Sequence, residues 1–220
     1  MWPEWVAPVA QQMSGGLLVT AAIAIVAILA SCVAGLVLGL LSTLHAPALR
    51  FVIGLYVEVW RGLPVIVTLF FLFFGLPALG VRLSPIIASE AAIALWGSAN
   101  LAVLVRGAVE SIPHGQFEAA AAVGFSWPRR MLYIILPQAL RRLAPPSLNI
   151  LVILIQLTTI ATLLGVHDFL GIARQSIERL TLTTGDTHAI PILGAVLLVF
   201  GGVSNALNAL SRRLERRLRV

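Results

Sequence analysis

Lysine is missing from this chain: all fifteen basic residues among its 220 are arginine. A Walker-type phosphate loop needs a lysine after its glycines, so that route to ATP hydrolysis is closed. Cysteine is nearly absent, and the single thiol, Cys32, lies inside an apolar run, which excludes an internal disulfide. Charge is scarce as well. Only 11% of residues are charged against 59% hydrophobic, more apolar surface than one soluble core of ordinary shape can hide. The four histidines, His45, His114, His167 and His188, have no partner at metal-ligand spacing and no nucleophile arrangement beside them. Neither catalysis nor a metal site is expected of this chain. No basic residue precedes Arg50, so the positive region of a cleavable signal is lacking and the first apolar run should be retained.

What is present is oil in long stretches. Five segments are nearly free of charge and can cross a hydrocarbon layer of roughly 30 Å at about 1.5 Å per helical residue: 15–44, 62–81, 86–105, 143–166 and 189–210. The expected class is all-α, a polytopic membrane protein of one transmembrane domain with lipid as its covering. Cytoplasmic flanks carry an excess of arginine. With the amino terminus outside, the inner flanks hold Arg50, Arg106, Arg129, Arg130, Arg141, Arg142, Arg212, Arg213, Arg216, Arg217 and Arg219. The outer flanks hold only Arg82, Arg174 and Arg179, with Arg61 at a boundary. The carboxyl terminus is then cytoplasmic. The net charge of +6 is mostly topogenic, and no nucleic-acid partner is expected, since basic residues sit at span ends.

Between the third and fourth spans lies a polar insert, about 112–137, which this orientation puts in the cytoplasm. Within it, Glu118 to Val123 reads as a stubby alanine-rich helix with an acid in its first turn, ended by Gly124 in a left-handed conformation. Ala119, Ala120 and Ala121 keep that helix thin enough to lie in a groove on a soluble partner. Ser126 and Pro128 read as a fresh helix start, and Pro137, Pro145 and Pro146 as bends before the fourth span. A second informative segment precedes the second span. Glu58 and Arg61 lie three apart on one helical face, followed by Gly62 and Pro64, which break the helix. Two readings fit: a snorkelling anchor pair, or a pair facing a polar cavity beside a hinge or gate. Gly35 and Gly39, four apart, permit close helix contact. The segment 166–188 reads as an amphipathic surface helix or a solvated connector, and the arginine-rich tail as an anchor.

The insert resembles the glutamate-alanine-alanine loop of bacterial ABC importer permeases at every fixed position: Glu118, Ala119 and Ala120, then Gly124, then Ile134, Leu136 and Pro137. Ile112, Pro113, Gly115 and Gln116 upstream also fit, and Tyr56 to Pro77 resembles the start of the second span in the polar amino acid subgroup, the histidine/glutamine-type permeases. The resemblance runs from about Gly15 to the arginine-rich tail. It implies a type I importer permease fold in a bacterial inner membrane, with a second permease copy or close relative beside it. Two ATPase subunits would bind ATP and magnesium, so no cofactor is expected in this chain. A periplasmic or lipid-anchored binding protein would deliver the solute. The resemblance makes Gln116, Phe117, Glu118, Ala119, Ala120, Ala121 and Gly124 the segment that couples to the ATPase.

Departures fall where solute would pass. The subgroup commonly carries a tyrosine and a glutamate where this chain has Asn100 and Val103, and a lysine and an acid where it has Gln156 and Leu157, followed by Thr158, Thr159 and Ile160. A pathway or gate formed by Glu58, Arg61, Pro64, Asn100, Gln156, Thr158 and Thr159 would use neutral hydrogen bonds for selection. Alternatively these polar groups only join helices. A passive channel or secondary carrier remains the competing function, though it should need an ion-coupling group deep in a span. An intramembrane enzyme should show paired nucleophiles or metal ligands.

Overall fold

Helix formation starts well ahead of the first apolar run. In the computed structural model, which describes residues 3–218, α1 spans Val6–Leu41 and so begins nine residues before the expected span edge. Pro8 is tolerated because first-turn N–H groups have no helical acceptor. One face of α1 is buried along Val9, Met13, Thr20, Ile23, Ala27 and Ser31, spaced three, four or seven apart as one helical face requires. The opposite stripe of Leu18, Ile25, Leu29 and Val33 is exposed, as lipid contact demands.

The remaining helices are α2 (Pro47–Gly62), α3 (Val65–Phe70), α4 (Pro85–Glu110), α5 (His114–Ala122), α6 (Trp127–Arg130), α7 (Leu136–Leu157), α8 (Phe169–Thr184) and α9 (Ala189–Leu218). No strand occurs among the described residues. Four helical runs are long and apolar enough to cross a membrane, and α2 with 65–79 makes a fifth if that broken pair counts as one span. The break falls at Leu63, held extended (φ −81°, ψ 134°) ahead of Pro64. The last helix carries its arginines out to Arg217; Arg219 lies outside the described residues.

Pro137, Pro145 and Pro146 do not interrupt the helix: α6, a π turn at Met131–Ile135, α7 and a 3₁₀ stretch at Thr158–Leu164 run on without a break. Two local features accompany these prolines. The π turn lets Leu136 N–H reach Met131 O, widening the backbone just before Pro137, whose ring crowds the preceding turn. The same device recurs at Phe71–Gly75, where Leu76 N–H reaches Phe71 O just before Pro77. At the proline pair, Ser147 Oγ donates to Leu143 O (2.9 Å) and Ser211 Oγ to Pro145 O (3.0 Å). These hydroxyls add bonds beside the proline pair, whose missing N–H groups leave the carbonyls of Arg141 and Arg142 without their helical donors.

Chain contacts divide the molecule into two compact units. The first comprises residues up to Ile28, Val65–Ile93 and Ile153–Ala206. Its core joins Val9, Met13, Phe169, Ala173, Leu180 and Ile192. Here α8 is docked firmly: Asp168 is its N-cap, accepting from Gly171 N–H (3.0 Å) and Thr162 Oγ1 (2.6 Å), while Phe169 N–H donates to Thr20 Oγ1 (2.9 Å). Gly16 lets α1 approach, since a Cβ there would lie 2.8 Å from Asp168 O. The segment expected as surface helix or connector is therefore a capped helix with one face buried along Phe169, Ala173, Ser176 and Leu180.

The second unit comprises Leu29–Pro64, Ala94–Val152 and the residues from Leu207 onward. Glycine makes its closest helix contact possible. A Cβ at Gly35 would lie 2.5 Å from Leu101 Cβ, and one at Gly39 2.5 Å from Val105 Cβ, so α1 and α4 touch backbone to side chain along this spacing. A second core in this unit joins Val109, Ile112, Met131, Ile135 and Ala139. It seats the polar insert.

Candidate functional site

The insert is anchored from beneath and bare on top. Helix α5 starts at His114 rather than Glu118, so Glu118 stands mid-helix and no acid occupies the first turn. The reason is local: Pro113 (φ −55°, ψ 136°) already has the extended backbone that leads into a helix, and Gln116 N–H bonds Pro113 O at 2.9 Å. Phe117 packs against the second core and Ala120 is buried, three residues apart on one face. Gln116, Glu118, Ala119 and Ala121 are exposed, with Val123 77% exposed beyond the helix. Gly124 takes φ +84°, with its N–H on Ala121 O (2.9 Å) and Phe125 N–H on Ala120 O (3.1 Å). Those two bonds are a Schellman motif, which stops the helix after nine residues. Ser126 opens α6 at the N-cap position, yet its hydroxyl caps nothing.

Two ties hold α5 to the helix run beyond it. Arg130 Nη1 donates to Phe117 O (3.4 Å) and Gln138 Nε2 to Gln116 Oε1 (3.4 Å). Both are long. Beside them, Arg142 Nη1 donates to Ser111 Oγ (3.0 Å), fixing the turn that leads into α5. The outcome is a short helix with a firm base and a small-residue outer face.

The residues expected to line a pathway divide between the two units. In the second, Arg61 does not pair with Glu58. Its Nε donates instead to Asn100 Oδ1 (3.2 Å), and Asn100 Nδ2 donates to Trp96 O (2.9 Å). A neutral carbonyl on α4 thus wins the guanidinium over a carboxylate one turn away on the same helix, and Glu58 is exposed. Tyr56 adds a contact that sequence reasoning missed, its hydroxyl 2.7 Å from Ser98 Oγ. Because Ser98 already donates to Leu95 O, the phenol is the donor. Pro64 is exposed at the helix break.

In the first unit, Gln156 Nε2 donates to Ser204 Oγ (3.3 Å), another partner not foreseen. Thr158 and Thr159 turn their hydroxyls back onto the carbonyls of Ile155 (2.7 Å) and Gln156 (2.8 Å). Their hydroxyl hydrogens are consumed locally and Thr158 is fully buried, so neither offers an O–H outward. A small hydroxyl in an apolar helix was the only signal for Ser98 and Ser204.

Residues 32–220 match the family described as binding-protein-dependent transport system inner membrane component. The chain belongs to that family. Among relatives, this permease is 33% identical over 206 residues to the probable glutamine ABC transporter permease protein GlnP of Bacillus subtilis, covering 92% of this chain and 91% of that one. It is 35% identical over 192 residues to the glutamine transport system permease protein GlnP of Escherichia coli, covering 84% and 85%. Among solved structures, an amino acid ABC transporter with histidines superposes with a TM-score of 0.80 at 24% identity, covering 97% of the permease and 100% of that chain. The inward-facing MetNI methionine ABC transporter superposes with a TM-score of 0.74 at 20% identity, covering 97% and 99%. These superpositions show the fold: an all-α importer permease.

Proposed function

We propose that this inner membrane component is the permease subunit of an ABC importer for a polar amino acid, driven by separate ATPase subunits through α5. The observation that carries the mechanism is the outer face of α5: a nine-residue helix, bare at Glu118, Ala119 and Ala121, stopped by left-handed Gly124 and rooted through Phe117 and Ala120. Small side chains let a partner groove close around the backbone, while the rooted face transmits the push to α4 and to the helix run that starts at Trp127. Relatives named as glutamine permeases support the solute class. A solute-binding protein would deliver that solute, and a second permease subunit would complete the pathway. The arginine distribution supports an amino terminus outside and α5 in the cytoplasm.

Arg61 with Asn100, and Gln156 with Ser204, would be the pathway's polar groups, and a guanidinium bonded to a neutral acceptor disfavours a cationic side chain in the solute. Thr158 and Thr159, with hydroxyls turned inward to their own helix, would serve packing. The test is co-purification with the ATPase and uptake by the assembled transporter. Glu118→Lys and Gly124→Asp should each release the ATPase and stop uptake with the permease still inserted. Retained binding in both variants would refute the role of α5, and preferential import of arginine or lysine would refute the solute class.

A further inference from the structure

We propose that a cavity at the root of α5 binds a phosphate group. The cavity has a volume of about 440 Å³ and is lined by Arg50 of α2, Arg130 of α6, His45, His114, Glu110 and Trp127, among others. Its charge is unbalanced. The one carboxylate, Glu110, is already held by Arg106 at 2.7 Å. Among the described residues, neither Arg50 nor Arg130 has a carboxylate within ion-pair distance. Arg130 makes only one long bond, to Phe117 O, and its Nε is buried with no partner.

Two guanidinium forks and two imidazoles facing one space form a donor set for a tetrahedral anion. Among the described residues, Ser42 and Thr43 donate to the carbonyls of Gly39 (2.6 Å) and Leu40 (2.7 Å), and neither accepts a bond from Arg50 or Arg130. The volume exceeds what a bare ion needs. The cavity sits where α1 and α4 end and where the helix run from Trp127 begins, and span ends are where headgroup phosphates would be met. A phosphate there would bridge α2 to the α5–α6 turn, so occupancy would stiffen the base on which α5 stands. The same chemistry could be supplied by an anionic lipid or by soluble phosphate.

The experiment uses the purified full-length permease in neutral detergent, melted at constant ionic strength with added inorganic phosphate or short-chain phosphatidylglycerol. At least one probe should raise the melting temperature, and the joint substitution Arg50→Gln, Arg130→Gln should weaken that response about tenfold. Arg82→Gln, which is not among the residues lining the cavity, should leave it unchanged. A response to phosphatidylglycerol alone assigns a lipid headgroup, and a response to phosphate as well assigns a soluble anion. Should the double variant fold poorly, the joint change Arg50→Lys, Arg130→Lys keeps the charge and should keep the response, and native mass spectrometry should count retained phosphatidylglycerol on the parent. No stabilisation by either probe, or an equal response in the glutamine variant, overturns the proposal.

Discussion

Asp168 is the most constrained ionisable side chain outside the spans. It is fully buried, with one oxygen accepting two bonds and Oδ2 left without a partner. Burial pushes its carboxyl above the usual range, and hydrogen bonds from Thr162 and the N–H groups of Gly171 and Leu170 only partly oppose this. A raised folded value means the native state keeps its proton to higher pH than the unfolded chain. The stabilising contribution is therefore full below the unfolded value of about 3.9 and falls as pH rises through the folded one. Asp168→Asn keeps the capping oxygen and cannot ionise. Its melting temperature relative to the parent should improve as pH is raised from about 4 to about 7. A constant difference across that range would show that the carboxylate is not penalised. Gly124 is constrained differently: with nothing near its Cβ position, only its φ of +84° restricts it, at about 1–2 kcal/mol for another residue.

Helices here meet through absent side chains. Along α1, Gly35 and Gly39 face Leu101 and Val105 of α4 with no room for a methyl, the nearest atoms being 2.5 Å from either built Cβ. Gly54 in α2 has open space around it. The same change should thus have opposite signs. Gly39→Ala should destabilise the permease by roughly 1–3 kcal/mol through overpacking, whereas Gly54→Ala should stabilise it by about 0.5–1 kcal/mol through helix propensity. Thermal unfolding in detergent reads both, and equal shifts would contradict the close α1–α4 contact. The insert shows the same economy, with a nine-residue helix terminated by one glycine and rooted by one phenylalanine.

At the level of the entire polypeptide, the arginine bias predicts which loops face which compartment. With Cys32→Ser as background, Ser126→Cys and Thr187→Cys place single thiols on exposed residues beside α6 and α9. A membrane-impermeant maleimide added to spheroplasts should label position 187, and should reach 126 only after the membrane is opened. Labelling of 126 from outside would invert the topology and remove α5 from the cytoplasm.

Much of this protein was legible in composition and in short-range backbone rules. Helix-forming apolar runs, the break before Pro64 and the left-handed stop at Gly124 arise from preferences that act within about one helical turn. Those preferences misjudged the start of α5 at His114 and the unbroken passage through Pro145 and Pro146. Pro113 sets the former, and at the latter the chain stays helical while Ser211 of α9 donates to Pro145 O from 66 residues away. Polar pairing was less legible still. Local spacing put Arg61 and Glu58 on one helical face without deciding their partners, and the guanidinium bonds Asn100, 39 residues away, while Gln156 bonds Ser204, 48 residues away. One chain segment dictates its own backbone because neighbouring atoms collide or bond at fixed offsets. Which side chains then share a hydrogen bond is a property of packed helices, since only their contact brings distant donors and acceptors within about 3 Å.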